Sequence, residues 1–296
     1  MSETESDPED PITKEEITEA AAAPEPSSVE VSRGTKRNAF EVLMAPKPKR
    51  QPEPEPEPEP PILTSIWARS TGSSQWRDSL RAYTDNPTSF PAGRVIYHNA
   101  SFVIIKDRYP KSSVHTLLLP RSPRSRMHPI DAFEDAEFLA SVRAEATRLK
   151  RLAGKELQRL YGRFSAQDKQ REAVLNMDVE WDVEAPLPVG RDWEKEILVG
   201  VHAHPSMHDL HVHVLSRDMV SDCMRNRKHY QSFNTPFLID IAEFPLPAND
   251  VRRNLERGAG FIDEDMGCWR CKRNFGNQFK RLKEHLAEEF EVWKKK

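Results

Sequence analysis

Beyond residue 61 the apolar and polar positions alternate with two distinct periods, and the change from one to the other marks the elements. Apolar runs at 94–97 and 102–106 flank His98, Asn99 and Ala100, which predicts two strands joined by a tight turn. VHTLLLP at 114–120 predicts a third strand. From Leu139 the spacing lengthens. Val142, Ala146, Leu149, Ala153, Leu157, Leu160 and Phe164 follow at steps of three or four, the stripe of a long amphipathic helix. Asp131 and Glu134 supply a D-x-x-E capping signal ahead of it. QWRDSLRAY at 75–83 predicts a short helix. The period is lost over 165–193, where Asp178, Glu180, Asp182 and Glu184 accumulate, so an insertion loop is expected there. Two more strands follow at 197–203 and 210–216. Three strands, a helix and two strands with short connections predict an α+β domain on an antiparallel sheet.

Residues 1–61 show neither period and are rich in Glu, Pro, Ser and Ala, ending in PEPEPEPEPP. Such a chain cannot bury a core, so a disordered, partly polyproline-like tail is expected. Inside it TKRNAFEVLMAPKPKR, 35–50, sets Phe40, Leu43 and Met44 among Lys36, Arg37, Lys47, Lys49 and Arg50. That pattern predicts a short docking motif at 38–44 for a partner protein, beside a basic import cluster, and so the nucleus, with the cytoplasm as a second compartment. The folded part divides into a domain over 62–245 and a small element over 246–296.

Charge changes this picture only at the ends. The formal net charge is −3, but the first thirty residues carry Lys14 as their only basic side chain, whereas the C-terminal stretch is basic. A basic end points to an anionic partner, nucleic acid foremost. The three cysteines, Cys223, Cys268 and Cys271, make no disulfide framework, and Cys223 reads as a small loop residue. No apolar run approaches the ~20 residues of a membrane span, and no basic-then-apolar signal opens the chain. A soluble intracellular protein with no membrane partner is expected.

The candidate chemistry begins at HAHPSMHDLHVHVLSRD, 202–218. In a strand, residues i and i+2 share a face, so His211 and His213 point together while Leu210, Val212 and Val214 fill the other side. His202, at the end of the preceding strand, faces the same pocket if the two strands pair. Such a cluster could hold zinc, could be structural, or could act on phosphorus. Ser206, Gly200 and the strand context favour phosphate chemistry.

G-x-H-A-x-P-S-M-x-x-L-H-V-H-V-L-S, residues 200–216, resembles the signature of the histidine-triad superfamily in its aprataxin branch. KDRYPKSSVH at 106–115 is similar to that branch's second strand and phosphate-side loop, and NRKHYQSFN at 226–234 to its post-triad segment. The likeness runs over roughly 73–296 with an interruption at 165–193, and NAFEVLM in the tail is similar to a stretch of fungal members. The resemblance implies a histidine-triad domain with an antiparallel sheet, a long helix and a C-terminal zinc finger. It implies His211 as the nucleophile on the α-phosphorus of an adenylate, His202 as the proton donor to the leaving 5′-phosphate, His213 and Ser206 as contacts to the phosphate oxygens, and Lys111 as a basic contact. No catalytic metal is implied. The first triad position is Asp209 rather than histidine, and His208, one position off register, is expected to point away.

CWRCKRNFGNQFKRLKEHLAEEF at 268–290 has Cys-x2-Cys and a distant His285 but no following histidine. Glu289, one helical turn on, and Glu288 are the alternatives for a fourth ligand. The resemblance to fungal members implies Cys268, Cys271, His285 and Glu289 around one structural Zn2+ per chain. Arg273, Lys280, Arg281 and Lys283, set between Phe275, Phe279 and Leu282, predict a basic DNA-facing side. The family's aromatic wedge against a terminal base pair falls at Trp76, and Lys228 and His229 are candidate phosphate contacts. The activity implied is removal of AMP from 5′-adenylated DNA ends left by abortive ligation, with DNA nicks and ends as partner and AMP as product. A dinucleoside polyphosphate or nucleoside phosphoramidate hydrolase, a noncatalytic scaffold for DNA breaks, and a zinc-dependent hydrolase at the histidine strand are the alternatives.

Overall fold

The computed structural model describes residues 75–182, 184–254 and 260–296. The docking motif at 38–44, the basic cluster and the PEPEP run lie outside the described residues, as do the side chains of Gln75 and Trp76. The predicted 75–83 helix is split into a 3-10 turn, Gln75–Asp78, and helix α1, Arg81–Asp85. Strands β1 (Val95–His98), β2 (Phe102–Lys106) and β3 (His115–Pro120) follow. Asn99 makes the β1–β2 turn, its Oδ1 accepting from the backbone N–H of Ser101 and of Phe102 at 2.8 Å each. Next come α2 (Pro129–Ala132), α3 (Ala136–Tyr161) and α4 (Lys169–Leu175), then β4 (Ile197–His202), β5 (Val212–Ser216), α5 (Arg227–Asn234) and β6 (Leu238–Asp240). The C-terminal part holds a two-stranded β7 (Met266–Gly267) and β8 (Asn274–Gly276), and α6 (Phe279–Trp293).

Strands β1 to β6 form one antiparallel sheet in the order β1-β2-β3-β5-β4-β6. Its two faces are chemically different. On one, Ile104, Leu118, Val199, Val201, Val212 and Val214 meet the α3 stripe of Leu139, Val142, Ala146, Leu149, Ala153 and Leu157. Each such side chain contributes ~1.5–3 kcal/mol by leaving water. The register pairs Gly200 with His213 and Leu117 with His213 across the two strand pairs, so the histidines occupy the opposite face. A Cβ at Gly200 would lie 2.5 Å from the Ile239 carbonyl, so glycine is what lets β6 run this close to β4.

Three expectations are corrected. The α3 cap is Asp135, whose carboxylate accepts from Phe138 N–H at 2.8 Å, because Pro129 starts a separate one-turn helix that takes up Asp131. Phe164 is exposed, since α3 ends at Tyr161 and the stripe stops with it. The 165–193 stretch is not a plain loop: it contains α4, and its ends are tied by buried Asp168, which accepts from Arg191 N–H at 3.1 Å and Trp193 Nε1 at 2.8 Å. Gly190 admits that carboxylate; a Cβ there would be 1.9 Å from Asp168 Oδ1.

The C-terminal element, expected as a separate piece over 246–296, packs into the same core. Trp293 of α6 sits edge-on to Trp193 at 5.9 Å, and its Nε1 donates to Glu196 at 2.9 Å. Arg191 donates to the Trp293 carbonyl at 2.6 Å and lies over both indoles. Among the described residues no helix is long and apolar enough to cross a membrane.

Candidate active site

His202 ends β4, His213 lies in β5 and His211 immediately precedes it, so the sheet itself brings the three predicted histidines together. The His213 ring is 4.5 Å from that of His202 and 4.9 Å from that of His211. All three are buried, yet in a polar enclave on the face away from α3; Ser206, in the β4–β5 loop, and Lys111, in the β2–β3 loop, are buried with them. Lys111 lies near enough for its charge to disfavour protonation of His202 and His213, although burial is the larger cause. Phe233 of α5 walls the group, its ring 4.8 Å from His202 and 5.1 Å from His213.

The hydrogen bonds fix which nitrogen carries each proton. His211 Nδ1 is 2.8 Å from the Asp209 carbonyl oxygen, which can only accept, so Nδ1 holds the proton. Burial lowers the His211 pKa, so the ring is neutral and Nε2 carries a lone pair. A second chain of bonds runs through a histidine to which the sequence analysis gave no role. The Lys111 backbone N–H donates to His115 Nδ1 at 3.1 Å, which places the His115 proton on Nε2. That Nε2–H faces His213 Nδ1 at 3.0 Å and the Asp107 carboxylate at 3.3 Å. His213 Nδ1 therefore accepts, which leaves the His213 proton on Nε2. Burial pushes His115 down to about 4, consistent with this neutral tautomer. Nε2 of His202 and Nε2 of His213 are buried without a protein hydrogen-bond partner. Buried polar atoms of this kind are left for a polar ligand. Asp107, His115 and His213 also group ligand-type atoms within 4.8 Å, but those atoms already bond one another.

Asp209, at the first triad position, is buried with its carboxylate 3.5 Å from Arg81, while His208 points away to Asp78 at 3.1 Å, as its register predicts. His229 does not join the histidine cluster. It is buried in the first turn of α5, its Nδ1 accepting from Arg225 N–H at 3.2 Å and its Nε2 3.4 Å from Asn226 Nδ2, so its ring closes the helix start instead of facing out. Lys228 is half-buried beside it, and Trp76 lies in the turn before α1. His115 could have been found from its position as a histidine opening an apolar central strand.

Cys268, Cys271, His285 and Glu289 bring their ligand atoms within 4.8 Å of one another. Cys271 Sγ is 3.1 Å and Glu289 Oε1 3.4 Å from His285 Nε2. Two thiols, an imidazole and a carboxylate gathered this closely are a donor set of the kind that suits a structural zinc ion. Arg270 binds the second Glu289 oxygen and orients the carboxylate. Glu288 is 82% exposed with its carboxylate 3.9 Å from the other ring nitrogen, outside the group. Leu282 is buried, with Phe275 and Phe279 packed beside it, and Arg273, Lys280 and Arg281 are exposed. Cys268 and Phe233 belong to one apolar cluster, and Tyr230 of α5 donates to the Gly267 carbonyl at 2.8 Å, so the finger backs directly onto the histidine wall.

Comparison with known proteins agrees with this layout. Residues 91–220 match the HIT domain, and residues 234–292 match the C2HE / C2H2 / C2HC zinc-binding finger. An aprataxin-like protein of Saccharomyces cerevisiae is 34% identical over 224 residues, covering 73% of this chain and 96% of that protein. One from Schizosaccharomyces pombe is 31% identical over 238 residues, covering 79% and 89%. The crystal structure of the aprataxin ortholog Hnt3 in complex with DNA superposes with a TM-score of 0.57 at 31% identity, over 74% of this chain and 96% of that one. A histidine-triad sheet backed by a Cys-Cys-His-Glu finger, with these relatives along most of its length, places the chain in the aprataxin family.

Proposed function

We propose that the protein is a DNA-repair hydrolase that removes AMP from 5′-adenylated DNA ends through a covalent AMP–His211 intermediate and restores the 5′-phosphate. The observation that carries this reading is the tautomer of His211: a neutral ring whose Nδ1–H is spent on the Asp209 carbonyl, with Nε2 free to attack. Nε2 forms a bond to the α-phosphorus as the bond from phosphorus to the bridging oxygen breaks. The leaving DNA 5′-phosphate takes up a proton from His202. Burial holds His202 neutral in the free protein, but an anionic pyrophosphate beside it favours the protonated ring. The His213 Nε2–H, Ser206 and Lys111 stabilise charge on the phosphate oxygens, so the scheme calls for no metal at the histidines. Water then attacks the phosphorus, giving a proton back to His202, and the nitrogen–phosphorus bond breaks with its electron pair returning to His211 Nε2 as AMP leaves.

Selection of DNA over a free dinucleotide falls to the rest of the molecule. The relatives carry the aprataxin name and one is solved with DNA. The exposed Arg273, Lys280 and Arg281 suit phosphate contacts, as does a groove of about 580 Å3 lined in part by Arg225, Lys280 and Lys283. In this reading Trp76 serves as the wedge at the terminal base pair, Lys228 as a phosphate contact, and zinc as a structural ion in the finger. The 38–44 motif docks a repair partner, and the basic cluster beside it directs the protein to the nucleus. The deciding assay is AMP release from a 5′-adenylated nick. His211→Ala should reduce the rate by at least ~10³-fold and form no AMP adduct while the protein stays folded. Undiminished turnover by that variant removes the assignment, and a faster rate on free dinucleoside polyphosphate than on the nick removes the DNA reading.

A further inference from the structure

β5 begins only at Val212, so His211 is held by the chain that precedes it. That chain, 207–210, is clamped from outside the sheet. The His208 N–H donates to the Arg77 carbonyl at 3.0 Å, and the Leu210 N–H donates to Ser125 at 2.6 Å. The His208 ring meets Asp78 at 3.1 Å, and Met207 packs in the cluster that contains Leu80. Arg81 Nη2 is shared between Asp78 at 3.4 Å and the Asp209 carboxylate at 3.5 Å. The Asp209 side chain is only 6% exposed, and its Oδ2 has no protein hydrogen-bond partner. A buried carboxylate is tolerated only where a cation offsets its lost hydration. Burial pushes the Asp209 carboxyl up and Arg81 opposes that shift in part, while the peptide carbonyl of the same Asp209 is the acceptor that sets His211.

We propose that Arg81 and Asp209 form a positioning pair that fixes the tautomer of His211 through the Asp209 carbonyl. Neither residue touches the reacting atoms in this scheme. With the pair intact, the Asp209 peptide is held in one orientation, its oxygen faces His211 Nδ1–H, and the lone pair stays on Nε2. Without Arg81, the carboxylate seeks water and pulls against the Leu210 N–H bond to the Ser125 carbonyl, which holds the same peptide, so the Asp209 carbonyl loosens its grip on His211 Nδ1–H and the tautomers of His211 shift toward a mixture. The triad's first position thus contributes here through its backbone, with the side chain serving as the anchor. The link also joins the nucleophile to the helix that follows the turn bearing Trp76.

The inference rests on His211 as nucleophile, but its first test does not. In protein labelled with 15N-histidine, the wild-type His211 signals should show a protonated Nδ1 and an unprotonated Nε2. Arg81→Gln should shift them toward a mixture, and Arg81→Lys, which keeps the charge, should restore them. Unchanged tautomer signals in Arg81→Gln overturn the proposal. Single-turnover AMP release gives the second test. Arg81→Gln and near-isosteric Asp209→Asn should each slow the bond-breaking step roughly tenfold with little change in DNA affinity, and the double variant should be no slower than the slower single one. Losses that multiply in the double variant would mean that Arg81 acts on the substrate directly, against the pair. If wild-type protein released no AMP, the proposed function would fail while the 15N signals still decided the positioning role.

Discussion

A neutral imidazole offers one lone pair and one N–H, and at this site the neighbours choose between them. His211 is given a backbone acceptor on Nδ1, whereas His115 is given a backbone donor, and so the two rings hold opposite tautomers. Both stay neutral chiefly because burial disfavours the charged ring. The same cause makes stability depend on pH. In the unfolded chain these histidines take up protons below ~6.5, whereas the folded His115 does so only near 4. Across that window the unfolded state binds more protons, so stability falls as pH falls, by up to ~1.4 kcal/mol per pH unit for each such histidine. Denaturant titrations between pH 7 and pH 4.5 should show this decline, and His115→Gln should make it shallower. An equal slope in the variant would mean that His115 is not held neutral by the fold.

At the scale of elements, α6 carries the finger. One helical turn separates His285 from Glu289 and aligns both toward the cysteines, while Glu288 projects from the helix into solvent. Glu289→Ala should therefore weaken zinc retention at least ~10-fold in competition with a chromogenic chelator, and Glu288→Ala should leave it unchanged. The elements legible in the sequence are those with a sustained pattern: β1 to β5 through their apolar runs and α3 through its stripe. Short pieces are not. β6 has three residues, too few to alternate, and the α3 cap was read at Asp131 because nothing in D-x-x-E marks the one-turn helix that Pro129 begins. The tie made by Asp168 within 165–193 is not legible because its partners, Arg191 and Trp193, lie beyond a stretch with no pattern. The site divides in the same way. His211 and His213 were visible as an i, i+2 pair, but the role of His115 depends on β3 lying beside β5, a long-range pairing that no local spacing encodes.

At the scale of the whole molecule, two features couple the finger to the sheet. Phe233 shares a cluster with Cys268, and Trp293 lies within the core beneath α3. The described residues should therefore unfold in one cooperative step, and zinc chelation should lower that single midpoint instead of creating an early transition for the finger. Trp293→Ala should cost ~3–5 kcal/mol in chemical denaturation, as for a large core side chain, although the residue lies far from the sheet in sequence. A separate low-temperature step for the finger would contradict the shared core. The lodging of Trp293 also bears on how the protein is made. All six strands of the sheet leave the ribosome before this indole does, and until it arrives the hollow beside Trp193 and Tyr161 stays open. The nascent sheet waits, with oily surface showing, for a plug that follows every one of its strands in the chain. A message cut short after the histidines would yield an aggregation-prone fragment in place of a smaller working enzyme.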